Sequence, residues 1–408
     1  MGLDAGQRRL PAEASGWRVA SASVEWRAVF TAGLLSTFGD ELARFAFAFL
    51  IFATTHSPLL TAASYACSFL PSLAGAVGLA ALADAYPRRE VMIICDLVRG
   101  LIFLALGTVR MPVGAMLAFV LLAGFAGPPF AAGKAALLAE ILADDAYVAG
   151  HTAGEVAASV ASVAAVMAAG VTIATIGAHG ALVADAATFA LSAASLRLFV
   201  RRRRAVPTPD RVPRLGGLHL VRSRRDLRAL VGVSAACGAA ASVAMSFAIV
   251  IARRDGHGAV GAAVLAGAPL VAEIAAGAYI IKAVTSTDRQ HLIVPLAALS
   301  AVPLALGLGR PGFHVTVALY CIAAVGSMFQ VLASQEFVTR VPPEQRAAAF
   351  GAAAAVIAAT NGVVVFVGGA AADYAEPVEV LGAISVLALA VVVVVGRMFR
   401  SRAVQSGS

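Results

Sequence analysis

The residues best placed to do chemistry are a few charged side chains inside long apolar stretches. Asp40 and Arg44 are four residues apart in one such stretch, so on a helix they share a face and can pair. Glu41 is three residues from Arg44, and one arginine cannot neutralise two carboxylates. One acid is then left to take up a proton, which is what proton-coupled transport needs. The alternative is a buried charge cluster that only holds helices in register.

A further carboxylate, Glu273, lies in the apolar stretch from Leu270 to Gly277 with no basic residue close to it in sequence. A lone carboxylate in lipid costs least when it is protonated or matched to a base on another helix. Two interpretations remain open. Glu273 carries a proton or contacts a cationic substrate, or it pairs with Arg44 or another base for structural reasons.

Acids and bases also alternate around the start of a third apolar stretch. Asp96 and Arg99 are three residues apart within it. Asp84, Arg88 and Arg89 precede it. An acid beside basic residues near a helix end suits a clasp between helices that opens when a carrier changes face. We predict that these five residues form an inner gate.

The elements that position these charges are apolar helices. The chain has 408 residues, of which 60% are hydrophobic and 13% are charged, whereas a soluble domain has about 45–50% and about 25%. This composition excludes a soluble enzyme, a disordered chain and a protein with a single membrane anchor. The apolar runs are continuous, which argues against an outer-membrane barrel with alternating strands. We therefore predict an all-α polytopic membrane protein.

Spans of about 20 apolar residues divide the chain into two similar halves of six helices each. We predict a tail at 1–26, a first bundle at 27–200, a basic linker at 201–228, a second bundle at 229–397 and a tail at 398–408. Turns with acidic residues, each followed by a Gly and an Ala-rich stretch, recur about 200 residues apart in the two halves. The twelve predicted transmembrane spans are 27–54, 58–82, 91–109, 112–138, 151–177, 179–199, 229–252, 259–281, 291–309, 313–338, 346–370 and 378–397.

The basic residues set the orientation. Of the 31 Lys and Arg residues, 24 fall in segments on one side of the predicted spans and 4 on the other. The positive-inside rule then predicts that both termini are cytoplasmic, in a cell (plasma or inner) membrane. The linker at 201–228 has ten arginines. Its part at 215–230 has the pattern of an amphipathic helix on an anionic inner leaflet; a solvated linker is the alternative.

Other site classes lack their sequence signals. The four cysteines are dispersed without a CxxC motif, and the seven histidines form no metal-binding pattern. The stretch from Gly127 to Lys134 has the wrong spacing for a phosphate-binding loop. The basic residues flank apolar runs, which argues against nucleic acid. We expect no enzyme activity, cofactor or metal, and we expect a monomer.

Several short motifs carry a family resemblance. They are Gly39-Asp40 with Thr55 to Pro58 after it, Pro71, Asp84 to Arg89, Asp96 to Arg99, Ala135 to Glu140, and Asp185 to Phe189. Together they resemble the major facilitator superfamily, and within it the twelve-span drug:proton antiporters that include macrolide-efflux and siderophore-exporter-like proteins. Asp84, Arg88 and Arg89 match the family's inner-loop signature, although Ala80, Ala85 and Pro87 replace its Gly, Arg and Gly. The fifth span lacks the Pro and paired glycines of the antiporter signature.

The resemblance implies a secondary active transporter that exports a small amphipathic compound or drug against proton entry by alternating access. Asp40, Glu41, Arg44 and Glu273 are then the candidate residues for proton coupling or substrate binding. Two alternatives stay open. One is an importer or uniporter on the same fold. The other is a transport-inactive sensor or scaffold that acts through the arginine-rich linker.

Overall fold

The computed structural model describes residues 21–67, 71, 86–142, 144–203, 214–283, 289–342 and 345–406. Within these ranges every regular element is a helix. A short 3-10 helix, Leu306–Gly309, follows the α-helix that ends at Ala305. The α-helices are α1 Val24–Thr55, α2 Pro58–Ala66, α3 Arg88–Thr108, α4 Val113–Gly124, α5 Gly127–Ile141, α6 Asp144–Phe199, α7 Arg214–Ser223, α8 Arg225–Arg254, α9 Gly258–Ala283, α10 Arg289–Ala305, α11 Phe313–Gly326, α12 Phe329–Arg340, α13 Arg346–Ala372 and α14 Pro377–Ser406.

Nine stretches of the described chain are helical, long and apolar enough to cross a membrane. One of them, Ala149–Phe199, is long enough for two spans, and the helix breaks inside it at Gly177, where φ is 77° and ψ is 168°. Only glycine adopts this conformation readily, so Gly177 sets the turn between the predicted fifth and sixth spans. The helix α1 has 32 residues, enough for one span, but it contains the charged residues at 40, 41 and 44 and is not among the nine. Most of the predicted second span lies outside the described residues, so the count of twelve stays a prediction.

The surface of these helices is apolar. Leu101, Leu198 and Leu387 are each about two-thirds exposed or more, as expected for side chains that face lipid rather than water. Buried aromatic residues such as Phe45, Phe47 and Phe247 fill the interior. The prediction of an all-α multi-pass membrane protein is confirmed. The proposed domain boundaries stay predictions.

The two halves show the same interruption in equivalent spans. The predicted fourth span is broken between α4 and α5 at Phe125 and Ala126, and the predicted tenth is broken between α11 and α12 at Ser327 and Met328. Each break carries the chain into a second helix without leaving the span. A break in both halves is consistent with the internal repeat predicted from the sequence.

The halves meet tightly at the end of the molecule that the charge pattern predicts to be outside. A Cβ atom on Gly369 would lie 2.4 Å from the Cβ of Ala62, and one on Gly170 would lie 2.3 Å from the Cβ of Ala263. Both glycines therefore allow helices of opposite halves to touch. Asp373 adds a polar contact, because its Oδ1 accepts hydrogen bonds from Leu59 N at 3.1 Å and Ser57 Oγ at 3.3 Å.

The described residues of the linker contact both halves. Arg203 and Arg201 form ion pairs with Glu25, and Arg202 lies 3.6 Å from Glu90. The predicted amphipathic helix at 215–230 is two helices: α7 ends at Ser223 and α8 begins at Arg225. The break falls at Arg224, which has extended backbone and donates a hydrogen bond to the carbonyl of Arg340 at 2.8 Å.

The two tails differ. Residues 1–20 of the predicted N-terminal tail lie outside the described residues. At the other end α14 continues to Ser406, so the predicted tail at 398–408 begins as a helix rather than as an irregular segment.

Candidate functional site

The first feature of the site is an arginine shared by two acids from different helices. Arg99 on α3 donates from Nη1 to both carboxylate oxygens of Asp40 on α1, at 3.0 and 2.8 Å. Its Nη2 donates to Asp96 Oδ1 at 2.7 Å. The partner of Asp40 is therefore Arg99 and not Arg44, which corrects the pairing expected from the spacing within α1.

Arg44 turns instead to its other acidic neighbour. Its Nη1 donates to both oxygens of Glu41, at 2.8 and 2.9 Å. The spacing of three residues on one helix brings these groups together without help from the rest of the fold. Glu41 and Arg44 thus balance one another, and Asp40 must find its base on another helix.

The guanidinium of Arg99 is held between two aromatic rings. Its central carbon lies 4.8 Å from the ring centre of Phe130 and 4.7 Å from that of Phe189. The residue is 2% exposed. Aromatic faces stabilise a desolvated cation, so the two phenylalanines fix the arginine in a plane from which its two terminal nitrogens reach different acids.

Two of the three acids at this place are buried. Asp96 accepts a hydrogen bond from Ser192 Oγ at 2.5 Å and one from Ser36 Oγ at 3.5 Å. Asp185 on α6 accepts from Thr188 Oγ1 at 3.2 Å, while its Oδ2 is buried without a hydrogen-bond partner. Both acids have no exposed surface.

Gly39 lets α1 approach the part of α6 that carries Asp185. A Cβ atom at this position would lie 2.4 Å from Thr188 Oγ1 and 2.6 Å from Asp185 Oδ1. Real Cβ atoms do not come this close. Asp40 thus lies beside Arg99, while the close approach at Gly39 brings Asp185 against the same part of α1.

We name Asp40, Asp96, Asp185 and Arg99 the charge cluster. Among the described residues, Arg99 is the one base within ion-pair distance of these acids. Three carboxylates facing one guanidinium cannot all be ionised without leaving unpaired charge away from water, which is costly. The cluster can restore its balance by binding protons.

The cluster opens onto a cavity in the N-terminal half of about 440 Å³. Asp40, Arg44 and Arg99 line it together with Ser64, Pro71 and apolar side chains. The side chain of Asp40 is 39% exposed, whereas that of Asp96 is fully buried. Asp40 is therefore the acid of the cluster that a proton or a ligand in the cavity reaches first.

Glu273 lies apart from the cluster, on α9 in the C-terminal half. Its Oε1 accepts a hydrogen bond from Ser327 Oγ at 2.8 Å. It lines a second cavity of about 320 Å³. No base is within ion-pair distance of Glu273 in the described part of the chain, and Arg44 is engaged with Glu41. Glu273 therefore does not pair with Arg44, and the structural pairing that the sequence allowed between these two residues is wrong.

The structure describes four of the five residues predicted to form an inner gate, and these four divide between two separate sets of contacts. Asp96 and Arg99 belong to the charge cluster. Arg88 pairs with Glu140, and Arg89 donates to the carbonyl of Val200 at 2.7 Å. Asp84 lies outside the described residues. Eleven residues of helix separate Arg88 from Arg99, about 16 Å at 1.5 Å per residue, so the two ends of α3 serve different contacts.

The sequence prediction missed Asp185 as a member of the cluster. The available signal was an acid in the apolar sixth span, in the segment from Asp185 to Phe189. The serines at 36 and 192 gave no signal, because small hydroxyl residues are common in membrane helices.

Comparisons with known proteins agree with this architecture. Residues 29–369 match the profile of the Major Facilitator Superfamily. The chain belongs to the Major Facilitator Superfamily. This is a family of membrane transporters rather than enzymes, and the resemblance stated from the sequence is confirmed at this level. No curated protein matches the chain in sequence.

Solved structures share the fold at low sequence identity. The crystal structure of nucleoside transporter NupG has a TM-score of 0.73 and 14% identity over 93% of this chain and 99% of that one. A POT family transporter in complex with a thioalcohol-conjugated peptide has a TM-score of 0.74 and 11% identity, over 92% of this chain and 96% of that one. An inward-facing bacterial homologue of the human lysosomal transporter Spinster has a TM-score of 0.68 and 14% identity, over 96% of each chain.

Proposed function

We propose that this protein is a proton-coupled secondary active transporter that exports a small amphipathic compound by alternating access. The observation that carries the proposal is the charge cluster, in which two carboxylates hydrogen-bond to one arginine beside a cavity, and a third is buried with no base within ion-pair distance in the described part of the chain. A group of acids that is short of positive charge binds and releases protons as its surroundings change.

In the proposed cycle Asp40 is the residue that exchanges protons with the cavity. Ionised Asp40 holds Nη1 of Arg99 while Asp96 holds Nη2. A proton on Asp40 removes the negative charge that attracts Nη1, and Arg99 then interacts with Asp96 and its neighbours alone. Because Asp40 is on α1 and Arg99 on α3, gain or loss of the proton changes the contact between these two helices.

The contacts between the halves support alternating access. Gly369 and Asp373 bring α13 against α2 at the predicted outer end. In the proposed cycle this arrangement is the inward-facing state, and a change to the outward-facing state breaks those contacts. Two hydrogen bonds to Asp373 beside close apolar packing suit a junction that must open repeatedly.

The membrane, the orientation and the direction of transport are parts of the same proposal. The excess of arginine in alternate loops supports a cell membrane with both termini in the cytoplasm. We propose that the linker at 201–228 lies against the anionic inner leaflet and that the protein acts as a monomer. The resemblance to drug:proton antiporters supports export of an amphipathic compound or drug. The fifth span, which lacks the antiporter Pro and paired glycines, favours the runner-up, an importer or uniporter.

The test begins with a cell accumulation assay that compares a deletion strain with its parent. Ethidium, a cationic dye, and Nile red, a neutral dye, are suitable amphipathic probes. Vesicles with the purified protein and an imposed pH gradient then measure uphill flux of the transported dye. We expect Asp40→Asn to abolish uphill flux, while Asp255→Asn, the same change in an exposed loop, leaves it intact. Unchanged flux in Asp40→Asn would refute the assignment of Asp40, and flux that follows the gradient in the same direction as protons would establish import.

A further inference from the structure

The cavity in the C-terminal half has a composition unlike that of the cavity beside the charge cluster. It is enclosed by α8, α9, α10, α11, α12 and α13 and has a volume of about 320 Å³. Most of its lining is apolar, including Met245, Leu265, Leu270 and Leu304. The charged group in this lining is the carboxylate of Glu273.

Two polar groups of this cavity have hydrogen-bonding atoms without a partner in the described part of the chain. Oδ1 of Asn361 and the hydroxyl of Tyr320 are buried without a hydrogen-bond partner. Tyr320 is 5% exposed, so it cannot turn to bulk water. The hydroxyl of Ser327 is already engaged with Glu273 at 2.8 Å and with the carbonyl of Ala324 at 2.7 Å.

Buried polar groups without partners are rare in proteins and call for an explanation. In the described part of the chain neither atom has a hydrogen-bond partner, so the partner must come from the cavity, either as water or as a ligand. A ligand with several N–H donors supplies the donors that these acceptors lack. A positive charge on the same ligand matches Glu273, which has no basic partner among the described residues.

We propose that this cavity is the binding site for the ammonium end of an amphipathic amine. Glu273 pairs with the charge, and the free acceptors of Asn361 and Tyr320 receive the remaining N–H donors. The apolar side chains hold the hydrocarbon body of the ligand. An anionic ligand does not fit, because the lining supplies a carboxylate and no arginine or lysine. The inference rests on the proposed function, for which it names the class of substrate.

The site is also separate from the proton-binding residues of the proposed cycle. The charge cluster and its cavity are built from the helices α1 to α6, all before the linker. The amine site is built from helices after the linker. Removing one site therefore leaves the other intact, which makes the two roles separable by mutation.

Equilibrium binding to the purified full-length protein tests the amine site without any gradient. The probes are 1-naphthylmethylamine, 1-naphthalenemethanol and 1-naphthoic acid, which share a ring system and differ in charge. Isothermal titration calorimetry measures their affinities. We expect the amine to bind at least about tenfold more tightly than the alcohol, and the acid to bind most weakly.

Matched variants assign the preference to this cavity. Glu273→Gln is expected to lower the affinity for the amine about tenfold and to leave that for the alcohol unchanged. Glu155→Gln, the same substitution on α6 away from this cavity, is the control. Tyr320→Phe removes a hydroxyl that has no partner in the ligand-free protein. It should fold at least as stably as the wild type and bind the amine several-fold more weakly.

Equal affinity for amine and alcohol overturns the proposal, and so does unchanged amine affinity in both Glu273→Gln and Tyr320→Phe. The outcomes also distinguish this inference from the proposed function. Absence of amine preference together with loss of uphill flux in Asp40→Asn refutes the amine site alone. Selective amine binding without any flux driven by a pH gradient refutes the transport proposal alone.

Discussion

The close approach of α1 and α6 makes Gly39→Ala the most informative single change in the N-terminal half. The added methyl group would lie 2.4 Å from Thr188 Oγ1 and 2.6 Å from Asp185 Oδ1. Comfortable contact begins near 3.4 Å, so the neighbouring atoms must move by about 1 Å. Overpacking of this kind costs about 1–3 kcal/mol.

The same displacement matters for the charge cluster. Asp40 follows Gly39 directly, and its hydrogen bonds to Arg99 are 2.8 and 3.0 Å long. An increase of about 1 Å takes such a contact past the distance at which it counts as a hydrogen bond. We therefore expect Gly39→Ala to lower both the thermal stability of the purified protein and the uphill flux in vesicles.

The matched control is Gly100→Ala, next to Arg99 on α3, where the nearest atoms would be 3.4 Å away in Ala186 and Phe189. This change should leave stability and flux close to wild type, because the methyl group enters an ordinary contact. Thermal unfolding in detergent and flux in vesicles measure both variants. Wild-type stability and flux in Gly39→Ala would show that α1 and α6 leave room for a methyl group at Gly39. Close packing would then not be what holds Asp185 beside Asp40 in the charge cluster.

Two other perturbations test separate contacts. Arg99→Lys keeps the positive charge but loses the second terminal nitrogen, through which Arg99 joins Asp40 to Asp96. We expect a loss of about 1.5–3 kcal/mol in the free energy of unfolding and a large loss of coupled flux. Thermal unfolding and vesicle flux measure these effects, and coupling equal to that of the wild type would show that the charge alone suffices. Asp373→Ala removes the acceptor for Leu59 N and Ser57 Oγ and should destabilise the closed predicted outer end by about 0.5–2 kcal/mol. Spin labels at the exposed positions Val109 and Leu308 should then show longer distances by electron paramagnetic resonance. An unchanged distribution of distances would contradict the role of Asp373 in holding the two halves together at this end.

The sequence predicted the fold class well because lipid leaves few alternatives. A chain in a bilayer must satisfy its backbone hydrogen bonds within each segment, so long apolar stretches become helices. The sequence also singled out Asp40, Arg99 and Glu273, since a charge in an apolar span is expensive and seldom accidental.

What the sequence could not predict is which charges meet. Spacing within α1 allowed Arg44 to pair with either Asp40 or Glu41, and the periodicity of a helix does not decide between them. The choice depends on Arg99, which reaches α1 from α3 and takes Asp40. Asp185 joins the cluster through the packing of α6 on Gly39. Contacts between helices far apart in sequence follow from tertiary packing, which one sequence does not display.

The two proposed sites together have a consequence for the charge carried through the membrane. In one crossing the protein holds an amine at Glu273, and in the return crossing it holds a proton at Asp40. Each load adds one positive charge to the carrier, so the two crossings move the same charge in opposite directions. Each elementary charge contributes about 2.3 kcal/mol per 100 mV of membrane potential. Exchange of one amine for one proton cancels this contribution over the full cycle, so the pH gradient alone supplies the driving force of such an exporter. Collapse of the membrane potential then leaves unchanged the limiting amine gradient that the exporter can maintain.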